Sequence, residues 1–135
     1  MELPGGLLLD EEHVLAFHVF PQEGERVVYL GYLMLVSRRH VAGHEDLDDV
    51  EAAAVGRGLT RLARALREVA GADHVFVIRI GTGVPHLHIH LVPRYPETPR
   101  DVPWNKVDEW PGARRGGADE VAALVRRLGD DLHAK

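Results

Sequence analysis

His86, His88 and His90 occupy every second position of the run Val84–Arg94, with Leu87, Ile89 and Leu91 alternating with them. No other feature constrains the fold as strongly. A period of two is a strand, and it sends the apolar set to one face and the imidazoles to the other. The apolar set covers a core. The imidazole set is poor packing material, and burying it without partners is costly. Chemistry on that face is the expected reason for it.

The rest of the chain supplies companions for this strand. Leu7–Leu9 and Val14–Phe20 are short apolar runs split by Asp10-Glu11-Glu12, and read as two strands or a hairpin. Pro21–Glu25 is a turn-rich break. Arg26–Val36, rich in Val, Tyr and Leu, reads as one longer strand, and its near-continuous apolar character suggests a central, two-sided position. Ser37–Glu45 is polar and basic and reads as a loop. Val55, Leu59, Leu62, Leu66 and Val69 recur at steps of four and three, the apolar face of a helix. Asp46 or Asp48 can cap its start, and Gly71 marks its stop. Arg57, Arg61, Arg64 and Arg67 fall elsewhere, toward water, as a solvated face does. Val75–Ile80 reads as a strand, Gly81-Thr82-Gly83 as a tight turn, and His86–Val92 as the second arm of an antiparallel hairpin. Residues 94–117 are rich in Pro and Gly; Trp104 and Trp110 within them read as satellite core or interface, with stacking on a base as the functional option. Ala118–His133 is a second amphipathic helix with Val121, Leu124, Val125, Leu128 and Leu132 as its stripe. The organisation read from this is one domain, 1–135, with 94–135 as a C-terminal extension.

Composition narrows the function classes. A chain of 135 residues, 45% hydrophobic and 27% charged, can bury one core. There is no cysteine, which excludes disulfides and thiolate chemistry. A net charge of -5 argues against nucleic acid as a partner. Met1–Gly6 lacks a basic segment followed by a long apolar stretch, and no apolar run approaches roughly 18 residues. The expectation is a cytoplasmic protein without a membrane partner.

Three histidines on one strand face could mark a partly exposed structural strand without a task, bind a metal, or act on phosphorus. Same-face neighbours stand roughly 6.6–7 Å apart, so His86 and His90 are separated by roughly 13 Å. Two adjacent rings could reach one ion, but all three could do so only across a bulge. Further ligands would come from His13, His18, His40, His44 or His74. The His-x-His metallohydrolase barrels are excluded, since a barrel typically takes roughly 250 residues. His40, in the basic loop, reads as solvated. Attack on phosphorus suits the row better. A neutral imidazole, with its ordinary pKa of about 6.5, is a competent nucleophile near neutral pH. Flanking imidazoles then supply donors to the phosphoryl oxygens. Arg94 and the backbone N–H groups of Gly81-Thr82-Gly83 could add anion contacts.

The segment Val84–Arg94 resembles the signature of the histidine triad (HIT) family, His-φ-His-φ-His-φ-φ with φ apolar. Gly31–His40 is similar to that family's passage from a central strand to a basic loop, and Val14–His18 resembles its early strand. The resemblance covers about Leu7 to Tyr95. It implies an α+β, HIT-like fold: an antiparallel sheet of about five strands with one long helix packed on it, here followed by a C-terminal helix. It also implies a homodimer and a purine nucleotide site. The activity it implies is hydrolysis or nucleotidyl transfer at the α-phosphate of a dinucleoside polyphosphate or nucleoside phosphoramidate. His88 would be the nucleophile and carry the nucleotidyl group, with His86 and His90 beside it. Tyr32, Arg79, Thr82, Gly83, Arg94 and His18 would contact the nucleotide or its phosphate. Neither metal nor cofactor is required. Three positions depart from the family pattern. Tyr32 stands where many members carry a fourth histidine, Val19 follows His18 where an Asp is common, and the loop before the triad is short. The alternative reading is a nucleotide-binding or regulatory protein with weak catalysis.

Overall fold

The strand carrying the histidines is paired on both sides. In the computed structural model, which describes residues 3–134, the elements run β1 (Leu9–Asp10), β2 (Val14–His18), β3 (Val28–Tyr29), β4 (Leu33–Ser37), α1 (Asp49–Val69), β5 (His74–Ile78), β6 (His88–Arg94), β7 (Arg115–Gly116) and α2 (Ala118–His133). Met1 and Glu2, which begin the stretch read for a leader, lie outside the described residues. Five strands form one antiparallel sheet in the order β1-β2-β4-β6-β5, the α+β fold that the sequence implies.

One face of this sheet is the core. Val14, Ala16, Leu33, Leu35, Ile89 and Leu91 are at most 1% exposed. The α1 face bearing Val55, Leu62 and Leu66 covers them, and burial of each such side chain stabilises by about 1.5–3 kcal/mol. Gly58 lets the helix approach closely, because a Cβ there would come within 2.7 Å of Leu35 Cδ1. Asp48 is the residue that caps α1, in a reciprocal pair with Glu51. Arg39 grips the Glu51 carboxylate through two hydrogen bonds. That grip, with the Asp48 N–H, holds the carboxyl down at about 2. The basic loop is thereby tied to the start of the helix. The predicted stripe of α2 is buried throughout, packed against α1 and β7.

Three segments differ from the sequence reading. Arg26–Val36 is two strands, not one. Gly31 adopts φ +94, a left-handed conformation that breaks the extended run. The first piece, β3, leaves the main sheet to pair with β7 through Val28↔Gly116 and Tyr29↔Arg115. Gly81-Thr82-Gly83 does not close a tight hairpin, since β5 ends at Ile78 and β6 begins only at His88. Finally, β6 runs on through Pro93 to Arg94 instead of ending at Val92.

Candidate active site

Register places the histidines. Across β4, His88 faces Val36 and His90 faces Met34, and on the other side His90 faces Ile78. Both rings stand half-buried on the sheet face opposite α1. His86 lies just ahead of the strand, held there because the Leu87 N–H donates to the Val41 carbonyl at 2.7 Å. The row is therefore two strand residues and one loop residue.

Each ring has a defined partner. His86 Nε2 donates to the Ser37 carbonyl at 2.7 Å, and the His40 ring lies 4.8 Å from it, centroid to centroid. His88 Nδ1 is 2.8 Å from the His86 carbonyl oxygen. A carbonyl only accepts, so the His88 proton sits on Nδ1 and the lone pair on Nε2. The His90 ring stands edge-on to His88, with centroids 5.2 Å apart, and its Nδ1 is 2.7 Å from the Tyr32 hydroxyl. Burial, reinforced by His88 and Arg79, holds His90 below the ordinary histidine value. Burial and the nearby Asp108 charge push the Tyr32 phenol up. Both are neutral near pH 7.

The remaining predicted residues divide. Tyr32 joins the histidines directly. Arg79 is near enough to depress His90; it donates to the Ala42 carbonyl and keeps Nη1 buried without a hydrogen-bond partner. Thr82 and Gly83 are exposed on the loop leading into β6. Arg94 does not reach the histidines. It pairs with His74 at the far end of β6, roughly 20 Å from His88 at strand spacing. Its guanidinium donates to the carbonyls of Thr98, Pro99 and Val102, which fastens the tail loop.

His18 is also kept from any ligand. It is 2% exposed, and both nitrogens serve the backbone. Nδ1 donates to the Val19 carbonyl at 2.6 Å, and Nε2 accepts the Gly31 N–H at 2.8 Å. Burial holds its imidazole below the ordinary histidine value, against a smaller opposing pull from the Val19 carbonyl. The fold thus keeps His18 neutral, whereas the unfolded chain takes up a proton below about pH 6.5. Stability is expected to be full above that pH and to fall as pH drops from about 6.5 toward 5, with His90 contributing in the same direction. Thermal midpoints across this window check the point. The fall should shrink in His18→Gln, and a flat wild-type profile would contradict a buried neutral imidazole.

Two clefts flank Tyr32. The larger, about 520 Å³, has Val19, Phe20, Met34 and Arg115 in its wall. The smaller, about 400 Å³, is lined by His90, Ile78, Ile80 and Trp104. Both share Tyr32 and Asp108. Their sizes suit small-molecule groups. Trp104 is 52% exposed and leans on Phe76, with ring centroids 6.5 Å apart. It stands at a cleft wall and is not satellite core.

Sequence reasoning missed Asp108, Met34, the Ser37 carbonyl and the contact of His40 with His86. Met34 alternates in β4 and was visible as a strand residue, but its neighbour His90 is set by register. Asp108 arrives from the tail and carries no spacing signal. Among the described residues, no group of three His, Cys, Asp or Glu side chains is gathered to hold a metal ion.

Comparison with known proteins places this geometry in context. A family model described as HIT domain matches residues 1–97. An uncharacterized HIT-like protein of Methanocaldococcus jannaschii is 25% identical over 99 residues, which is 70% of this chain and 72% of that protein. Among solved structures, a histidine triad protein from Bradyrhizobium japonicum is 25% identical with a TM-score of 0.69, over 93% of this chain and 89% of that one. The Plasmodium falciparum diadenosine triphosphate hydrolase, solved with Cyclomarin A, is 14% identical with a TM-score of 0.67, over 96% of this chain and 77% of that one. The last likeness is one of fold.

Proposed function

This chain belongs to the HIT domain family, and on that premise we propose that it is a cytoplasmic hydrolase or nucleotidyl transferase acting at the α-phosphate of a purine nucleotide conjugate. The observation that carries the proposal is the bond from His88 Nδ1 to the His86 carbonyl, which leaves a bare lone pair on Nε2. That lone pair attacks the α-phosphorus. A P–N bond forms, and the bond from phosphorus to the leaving oxygen or nitrogen breaks. The leaving group departs with the electron pair and takes up a proton from solvent, which the attacking water returns in the second step. Water or another acceptor then attacks phosphorus, the P–N bond breaks, and the neutral imidazole is restored. His86 orients His88 through its carbonyl, His90 contacts the phosphoryl oxygens, and Arg79, with its unpartnered Nη1, adds positive charge beside them. Thr82 and Gly83 border the phosphate from the loop. The larger cleft, apolar at Val19, Phe20 and Met34, takes the nucleoside.

A diadenosine polyphosphate is the first substrate to try, because one structural neighbour is named for hydrolysing such a compound; an adenosine phosphoramidate is the second. The expected product is AMP. Rapid quenching into alkali and mass spectrometry should find one AMP moiety on the His88 peptide, and turnover with no such adduct would rule out the covalent route.

Tyr32 favours a second reading, since its neutral phenol offers less to an anion than a protonated histidine would. On that reading the chain is a nucleotide-binding or regulatory protein. Calorimetry showing tight nucleotide binding, with no product after long incubation, selects it.

The same proposal includes a homodimer. β5 is an edge of the sheet, with Val77 51% exposed and Ile80 just beyond it 68% exposed. An antiparallel edge can pair with its own copy across a two-fold axis. Sedimentation should give twice the 15.0 kDa chain mass, and a monomer at all concentrations would remove this part.

A further inference from the structure

Two neighbouring rings on β6 are anchored through the same atom, Nδ1, but to partners of opposite kind. His88 Nδ1 meets a carbonyl oxygen, which can only accept. His90 Nδ1 meets the Tyr32 hydroxyl, which can donate. Among the described residues, that hydroxyl has no other hydrogen-bond partner. We propose that Tyr32 is a positioning residue which donates its hydroxyl proton to His90 Nδ1 and so fixes the His90 proton on Nε2, the tautomer opposite to that of His88.

The geometry supports this assignment. Tyr32 and His90 are both half-buried, with ring centroids 5.7 Å apart at 72°, so the two rings meet edge to face. A neutral imidazole has one bare nitrogen, and a phenol has one proton to give. Joining them at Nδ1 gives the bare nitrogen a donor and the phenol proton an acceptor. The reverse arrangement, with Nδ1–H donating to the phenol oxygen, would leave the phenol proton without an acceptor in the fold. Burial reinforces the choice, because it keeps the phenol protonated and the imidazole neutral.

The consequence rests on the reaction proposed above. His88 presents a bare Nε2 and His90 an Nε2–H. A lone pair for phosphorus and a donor for a phosphoryl oxygen thus stand side by side. Neither depends on a protonated histidine. Tyr32 acts through His90, not on the phosphate.

Long-range ¹H–¹⁵N spectra distinguish protonated from bare ring nitrogens and need no turnover. At about pH 8, above the ordinary histidine range, the wild type should show His88 protonated at Nδ1 and His90 at Nε2. In Tyr32→Phe, His90 should shift toward a mixture of tautomers while His88 stays as it was, the unchanged ring serving as the control for folding. With substrate, the same variant should lose kcat by about 10-fold or more, the scale for removing a group that orients a working imidazole, with KM within about twofold. A wild-type His90 protonated at Nδ1, or a tautomer unmoved in Tyr32→Phe, overturns the proposal. If the proposed reaction is wrong instead, the wild type makes no product while both tautomers are found as stated.

Discussion

His88→Ala is expected to lower product formation by at least about 10³-fold, the scale of removing a nucleophile. Three observations set that expectation. The ring is half-buried on the open face, so its loss creates no core cavity. Its neighbours Leu87 and Ile89, at 0% and 1% exposure, remain buried under α1. The bare Nε2 that the variant removes has no substitute, since His86 Nε2 already donates to Ser37 and His90 is tied to Tyr32. Nucleotide affinity should change by only a few fold, because the proposed nucleoside cleft contains no part of His88. His86→Ala provides the contrast. It removes a ring but keeps the carbonyl that orients His88, so its loss should be smaller, about 10- to 100-fold. Steady-state rates with calorimetric affinities check the pair. Wild-type turnover by His88→Ala would sink the assignment of the nucleophile.

The largest effect on stability is expected at Gly31→Ala. Gly31 has φ +94, where an L side chain costs about 1–2 kcal/mol. A Cβ there would also overlap the Tyr95 hydroxyl and stand 2.8 Å from Pro93 Cγ. Tyr95 is not free to yield, because its hydroxyl donates to the Leu30 carbonyl at 2.6 Å and the Arg114 guanidinium covers its ring at 3.8 Å. Overpacking of this kind adds about 1–3 kcal/mol. The Gly31 N–H to His18 bond would be strained as well. A total loss of about 2–5 kcal/mol follows, with a Tm drop of about 10 °C or more. Gly129→Ala is the matching control. It lies in α2 with open space around the would-be Cβ, and should gain up to about 1 kcal/mol. Denaturant midpoints measure both, and an unchanged midpoint in Gly31→Ala would contradict the account of a backbone turn locked by its surroundings.

Local pattern carried much of the architecture. The alternation at Leu87, Ile89 and Leu91 marked the buried face of β6, and the helical steps at Val55, Leu62 and Leu66 marked the face of α1 that covers it. The helix start was narrowed to a cap at Asp46 or Asp48 because capping is decided within four residues, and Asp48 is the one used. What stayed hidden depends on distant chain. Arg26–Val36 looked continuous because nothing nearby says that Val28 pairs with Gly116. Gly31 was the available signal for the break, yet one glycine in an apolar run does not reveal its φ. Arg94 sits next to the triad in sequence and on the same strand face. Strand rise carries it away, and the carbonyls of the tail loop capture its charge. Tyr32 was legible as a departure at a critical place, but its bond to His90 needed the register between β4 and β6.

The acceptor that aims the His88 ring belongs to the polypeptide and not to a side chain. Any amino acid at position 86 would present the same oxygen. Descendants of this chain can therefore drift at that position, losing the ring itself, and still inherit a His88 held at the same angle. Selection acting on His86 must answer to something other than aim.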